Sequence, residues 1–210
     1  MSAKFAVWRA EPTQEDLLPK FEKCSAFLDA SMKVRIPAEA IRKATNLGII
    51  ATATTGADHI DAEALKERNI PLLTLKGQKE VLRGITAAAE HSWALLLSST
   101  RRMRGALKHT ESGGWQRTDF PGVMLRDKAL GVIGFGRIGS WMARYADTFG
   151  MKILAHDPFV REYPEYVKAV SMEELLKNAD FVSLHVNYTP ELKGMLNAKL
   201  INLMKRGVVF

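Results

Sequence analysis

The stretch LGVIGFGRIG, residues 130–139, constrains this chain more than any other. Gly134, Gly136 and Gly139 form a G-x-G-x-x-G pattern. An apolar run, ALGVIG, precedes it, and an amphipathic run, RIGSWMARYADTFG, follows and closes at Gly150. Three spaced glycines say little alone; a strand before them and a helix after them give the pattern its meaning. In that setting Gly134 permits a tight turn. Gly136 leaves room for a pyrophosphate to approach the backbone, and Gly139 lets helix and strand pack closely. The helix N-terminus, near Arg137 and Ile138, offers unpaired N–H groups and the positive end of its dipole to phosphate. Asp157 ends the next apolar run, KILAHD, 23 residues after Gly134. It is placed to accept hydrogen bonds from ribose hydroxyls, and its charge would repel a 2′-phosphate. NAD is therefore expected over NADP, with Arg161, four residues on, the cation that could weaken the preference. The plainer reading, a bare tight turn with Asp157 capping a strand, leaves the joint occurrence of strand, helix, spacing and acid unexplained.

Around this motif, short apolar runs alternate with helical patterns, as in α/β proteins with parallel sheets. The first half reads KFAVW (strand), QEDLLPKFEK (helix, weakened by Pro19), SAFLDA (strand) and PAEAIRKA (helix, with Pro37 at its start). LGIIATATT (strand), DAEALKERN (helix) and IPLLTL (strand) follow. A single long helix is expected from about Thr86 to Lys108, and SGGWQRTDFPGVMLRDK reads as an exposed excursion. The second half gives ALGVIG, KILAHD and FVSLHV as strands. Helices lie between them, NAKLINLMKR forms another, and GVVF opens a further strand. The expectation is two parallel-sheet domains, 1–99 and 100–210.

The bulk numbers agree with a soluble globular protein: 47% hydrophobic and 25% charged residues across 210 positions. One cysteine, Cys24, leaves no intramolecular disulfide framework and fits a reducing, cytoplasmic setting. The N-terminal stretch MSAKFAVWRAEPTQED reads as neither a secretory signal nor a spanning helix. The formal charge of +7 is dispersed, with its densest run at Arg101, Arg102 and Arg104 followed by Lys108. No recognition motif accompanies it, so no nucleic-acid partner and no membrane partner are expected. No residue spacing suggests a metal site.

The motifs LGIIATATTGADHIDAEALKERNIPLL, TAAAEHSWALLL, LGVIGFGRIGSWMARYADTFGMKILAHDP and ADFVSLHVNYTPELKGMLNAKLINLMKRG occur in that order. Together they resemble the D-isomer-specific 2-hydroxyacid dehydrogenase family, which includes phosphoglycerate dehydrogenase, over most of the chain from about residue 24. The resemblance implies an N-terminal flavodoxin-like substrate domain and a Rossmann NAD-binding domain. It places Thr55 and Gly56 on a loop facing substrate, with Thr55 also facing cofactor. Gly134, Gly136, Arg137, Ile138 and Gly139 would cradle the pyrophosphate, Asp157 would meet the ribose, and Val186 would line the adenine side. Asn187 stands where family members usually carry proline. The segment before Cys24 looks short, and the loop with Lys76, Lys79 and Arg83 looks long. Those three cations either meet an anionic substrate group or form a solvated basic loop, the second being the simpler reading.

The family's hydride chemistry between nicotinamide and C2 of a 2-hydroxy or 2-keto acid uses an arginine and a histidine tuned by a glutamate. By the resemblance, all three would lie beyond Phe210, so the Rossmann half is expected to be incomplete and the 210-residue chain inactive, with no catalytic residue of its own. His59, His91 and His185 read as packing or capping residues, with no carboxylate placed by sequence to pair with one. The alternative is a non-catalytic NAD(H)-binding module acting as a sensor or interaction partner. The resemblance also implies a homodimer of the complete protein, with residues 115–123 near that surface or simply in an exposed loop. The substrate is open among small 2-hydroxy acids, 3-phosphoglycerate being mildly preferred.

Overall fold

The computed structural model describes residues 6–210 and divides the chain into two compact units, one ending at Leu82 and the other spanning Arg83–Phe210. The division lies ahead of the boundary expected near residue 100. The reason is the packing of helix α5 (Ala87–Thr100), named in chain order below.

In the first unit, helix α1 (Gln14–Phe21) starts at Thr13, whose hydroxyl accepts from the Asp16 amide. It runs through Pro19 and buries Leu17 and Phe21. Strands β1 (Ala26–Asp29), β2 (Ile49–Thr52) and β3 (Leu72–Leu73) form a parallel sheet in the order β1-β2-β3. Helix α2 (Ala38–Lys43) connects the first two strands, and α3 (Ala62–Glu67), capped by Asp61, connects the next two. Phe21, Ile36, Ile41, Ile50 and Leu65 form the buried centre. The register pairs Asp29 with Thr52, so the loops after β1 and β2 leave from the same edge.

Several expectations shift here. Of KFAVW, Lys4 and Phe5 lie outside the described residues, and Ala6, Val7 and Trp8 form no strand and are exposed. IPLLTL contributes only two strand residues, and part of the basic loop coils into a short helix, α4 (Lys79–Arg83).

In the second unit, the expected long helix is two. Helix α5 ends at Thr100, Arg102 turns left-handed at φ 52°, and α6 (Met103–Glu111) begins a new direction. Leucine- and alanine-rich periodicity cannot report one residue's change of hand. Strands β4 (Ala129–Ile133), β5 (Lys152–His156), β6 (Val167–Ala169) and β7 (Phe181–Leu184) form a parallel sheet in the order β6-β5-β4-β7. Val209 adds a parallel bridge to Phe181 on the outer side of β7. This is the 3-2-1-4 order of a dinucleotide fold, with the fifth position begun.

Strand β6 was not foreseen. Only Val167 of its three residues is buried, so it carries neither an apolar run nor a full alternation. The C-terminal helix, α9, shrinks to Ala198–Ile201 before the chain turns toward Val209.

Every residue of β4 is buried, as a central strand covered on both faces requires. One face packs on α5 and α7 (Arg137–Thr148), through Trp93, Leu96, Met142, Ala143 and Ala146. Trp93 meets Phe149 edge-on at 5.0 Å and Tyr145 at 6.0 Å, which fixes α5 to this unit. The other face packs on α8 (Met172–Asn178), capped by Ser171, through Leu175 and Leu176. Among the described residues, no helix is long and apolar enough to cross a membrane.

Candidate dinucleotide site

The turn between β4 and α7 sits where the strand order reverses, with β5 on one side of β4 and β7 on the other. Gly134 adopts φ +86°, and a Cβ there would lie 2.6 Å from the carbonyl oxygen of His185, at the end of β7. A Cβ on Gly139 would lie 2.1 Å from the carbonyl oxygen of Gly134. The first and third glycines are therefore required by the fold itself.

Gly136 differs. It is exposed at the N-cap of α7, no side chain caps the helix there, and a Cβ would meet nothing within 4 Å. Nothing in the protein demands a glycine at this position. The space above it is a cradle that a side chain would fill, and the first-turn N–H groups of α7 face it without a side-chain acceptor. This fits a dinucleotide pyrophosphate.

Asp157 lies just past the end of β5. Its Oδ2 accepts from the Phe135 amide at 2.8 Å and its Oδ1 from the Phe159 amide at 2.9 Å. The carboxylate thus holds the glycine turn against the next strand. It still has lone pairs for ribose hydroxyls, since an ionised carboxylate offers about four acceptor sites. Arg161 is exposed and forms no ion pair among the described residues. The Arg137 guanidinium donates to the carbonyl oxygen of Ile85, while Ile138 packs on the core beneath the turn. Val186 is half-buried, with its Cγ1 3.0 Å from where a Cβ on Gly134 would stand. The ring of His185 shares a hydrogen bond of 2.7 Å with the Ser183 hydroxyl, and burial pushes its pKa below the ordinary value.

Seven of the expected residues therefore gather in the second unit: Gly134, Gly136, Arg137, Ile138, Gly139, Asp157 and Val186. Thr55 and Gly56 belong to the first unit, on the loop after β2. Thr55 is exposed, and the Thr54 hydroxyl donates to the Gly56 carbonyl at 2.7 Å.

This loop holds a pair that the sequence did not signal. His59 Nε2 lies 2.7 Å from Asp29 Oδ2, and the two side chains are only 9% and 7% exposed. Asp29 also accepts from the Ser31 amide and hydroxyl and from the Met32 amide. Burial raises the pKa of Asp29, but these amides and His59 outweigh it, leaving the carboxyl below its ordinary value. The partners stand 30 residues apart, and only the register of β1 on β2 brings them together. Among the described residues no cluster of potential ligands could hold a metal ion.

A groove of about 920 Å³ opens near the amino ends of β4, β5 and β6, away from the glycine turn. Two of its acids are paired with bases, Lys168–Glu174 and Lys205–Asp180, and the charges left on Asp127, Lys152 and Glu165 are of mixed sign.

Comparison with known proteins points the same way. Residues 93–210 match the model of the D-isomer specific 2-hydroxyacid dehydrogenase NAD binding domain, and residues 2–112 match the catalytic domain of the same description. The chain is 35% identical over 200 residues to a D-3-phosphoglycerate dehydrogenase of Archaeoglobus fulgidus, covering 94% of this chain and 37% of the relative. It is 34% identical over 200 residues to a hydroxypyruvate reductase of Thermotoga maritima, covering 95% of this chain and 64% of the relative. Among solved structures, D-lactate dehydrogenase from Aquifex aeolicus, complexed with NAD and lactic acid, superposes with a TM-score of 0.74 at 31% identity. That match covers 90% of this chain and 56% of the other.

Proposed function

Because this chain belongs to the D-isomer specific 2-hydroxyacid dehydrogenase family, whose cofactor is NAD, we propose that the whole protein transfers a hydride between nicotinamide and C2 of a small D-2-hydroxy or 2-keto acid. The chain spans 37% of the first phosphoglycerate dehydrogenase relative, so activity and substrate are proposed for the whole protein. For the 210 residues themselves the proposal is binding without turnover.

The observation that carries this reading is Gly136. It is an open glycine at an uncapped helix N-terminus, beside a turn in which the other two glycines have structural reasons to be glycine. The first-turn amides of α7 would hold the pyrophosphate, with Gly136 giving it room. Arg137, half-buried beside them, would add positive charge, and Ile138 would support the turn from below. Asp157 would accept from the adenine-side ribose and repel a 2′-phosphate, and Val186 would line the adenine side. Bound there, NAD would supply the hydride acceptor or donor at its nicotinamide. Thr55 and Gly56, on the loop after β2, would meet the acid, with Thr55 also meeting the cofactor. A phosphorylated acid such as 3-phosphoglycerate fits the naming of several relatives. In this reading the first unit serves the substrate and the second the cofactor. A homodimer of the whole protein fits the exposed apolar side chains of Trp115, Val123 and Met124 on the second unit.

The test is calorimetric titration of the chain with NAD, NADP, ADP and adenosine. NAD and ADP should bind, adenosine much more weakly, and NADP more weakly than NAD. Mixing the chain with NADH and hydroxypyruvate or pyruvate should leave the NADH absorbance unchanged. Absence of binding by NAD and ADP alike would overturn the dinucleotide assignment, and turnover would overturn the claim of binding alone.

A further inference from the structure

The buried Asp29–His59 pair is not among the residues proposed to hold the dinucleotide, and its geometry shows more than packing. Asp29 is the last residue of β1, and His59 closes the loop that leaves β2. In an open α/β sheet this carboxyl edge is where ligands bind. Four donors converge on one carboxylate: the Ser31 amide, the Ser31 hydroxyl, the Met32 amide and the His59 imidazole. A carboxylate that accepts from all four leaves His59 Nε2 as an N–H donor. His59 Nδ1 is buried with no hydrogen-bond partner. A bare acceptor nitrogen there costs less than an unsatisfied buried N–H would, so the geometry favours Nε2 over Nδ1 as the protonated nitrogen.

The backbone completes the brace. The Asp29 carbonyl accepts from the Ala53 amide at 2.8 Å, the His59 carbonyl from the Ile36 amide at 2.7 Å, and the Ala57 carbonyl from the Ile60 amide at 2.9 Å. The loop after β1 and the loop after β2 are thus joined by one side-chain contact, with Thr55 and Gly56 lying between its flanking anchors. We propose that Asp29 and His59 are positioning residues that lock these two loops into one rim and set the Thr55–Gly56 backbone for a small 2-keto acid. Neither residue need touch the acid. The part of this proposal that concerns the acid rests on the reading of Thr55 and Gly56 above.

The experiment uses the 210-residue chain and the variants Asp29→Asn, His59→Phe and His59→Gln. Nitrogen NMR of His59 in the unsubstituted chain should show a protonated Nε2 and an unprotonated Nδ1. In Asp29→Asn and His59→Phe the Thr54–Gly56 resonances should move and amide exchange at Ile36 and Ile60 should accelerate about tenfold or more, the loss of a little over 1 kcal/mol of local protection. Exchange in the sheet centre at Ile50 should be unchanged. His59→Gln, which keeps a donor toward Asp29, should restore the slow exchange. Pyruvate, used as the probe acid, should bind the unsubstituted chain and His59→Gln more tightly than the other two variants. Unaltered exchange in Asp29→Asn and His59→Phe would overturn the proposal, as would His59→Gln behaving like His59→Phe. Equal acceleration at Ile50 would reduce the pair to a brace of the whole unit and also overturn it. If pyruvate binds none of the chains, the acid-binding reading of Thr55 and Gly56 fails, and with it the part that assigns the rim to an acid; exchange still decides the lock.

Discussion

Gly136→Ala should separate binding from folding. A Cβ at this position meets nothing within 4 Å, and its φ of −80° is open to any residue. The folded state loses only the N-cap preference of glycine over alanine, under about 1 kcal/mol. The unfolded chain loses entropy worth about 0.4–1 kcal/mol in the opposite sense. The net change in stability is therefore close to zero. Gly139→Ala is the matched control. Its Cβ would stand 2.1 Å from the Gly134 carbonyl oxygen and 3.0 Å from Val132 Cγ1. Carbon–oxygen contacts settle at about 3.3–3.6 Å, so α7 must shift by about 1 Å or the turn must distort. Overpacking of that kind costs about 1–3 kcal/mol, and more where the obstacle is backbone. At about 2–4 °C per kcal/mol, the melting temperature should fall by several degrees.

The assays are urea and thermal unfolding, followed by tryptophan fluorescence, and calorimetric titration with NAD. Three of the four tryptophans, Trp93, Trp115 and Trp141, lie in the second unit. Gly136→Ala should melt with the unsubstituted chain yet lose at least tenfold in NAD affinity, since a methyl group would fill the space proposed for the pyrophosphate; tenfold corresponds to about 1.4 kcal/mol. Unchanged NAD affinity in Gly136→Ala, or full stability in Gly139→Ala, would refute the division of labour among the glycines.

Asp157→Asn replaces an acceptor-only carboxylate with an amide whose NH2 must face one of the Phe135 and Phe159 amides; NAD affinity should fall about tenfold and the NAD/NADP ratio should narrow, read from dissociation constants for both. Asp180 accepts from the Ala129 amide and from Lys205. Burial raises its pKa, but the Ala129 amide and the Lys205 and Lys128 charges lower it more, to a net position below 3.8. A depressed carboxyl stabilises the fold above its unfolded pKa and loses that contribution as pH falls through the folded value. Asp180→Asn should therefore cost about 1 kcal/mol at pH 7, a value reduced by the pair's partial exposure, and the gap should close below about pH 3.8, as urea midpoints across pH would register. Trp93→Ala should destabilise the second unit by about 3–5 kcal/mol and leave hydrogen exchange in β1 and β2 unchanged, because Trp93 packs on Tyr145 and Phe149 of that unit.

How much of this was legible beforehand follows from the range of the forces involved. The glycine turn was readable because its requirements are local. A positive φ at Gly134, a close approach at Gly139 and an uncapped helix start at Gly136 all fall within six residues, and Asp157 waits at the end of the next strand. Strands β4, β5 and β7 were readable for a similar reason, since burial on two faces writes a continuous apolar run.

Strand β6 was hidden because an edge strand of three residues with one buried side chain leaves almost no pattern. The break at Arg102 was hidden because helix propensity sums over many residues, while one left-handed residue redirects the chain. The placement of α5 with the second unit depended on aromatic contacts more than 50 residues away in sequence. Asp157 showed its place at the end of β5 in the spacing but not its hold on the Phe135 amide, which depends on how β4 and β5 stand in register.

Neighbours along the chain dictate the α/β class, the second sheet's principal strands and the geometry of the glycine turn, so these were legible without the fold. Only the tertiary structure decided the division at Leu82, the two caps on Asp157 and the meeting of Asp29 with His59. Those depend on strand register and packing across long separations, where many pairings fit the same local pattern and only the folded sheet selects one.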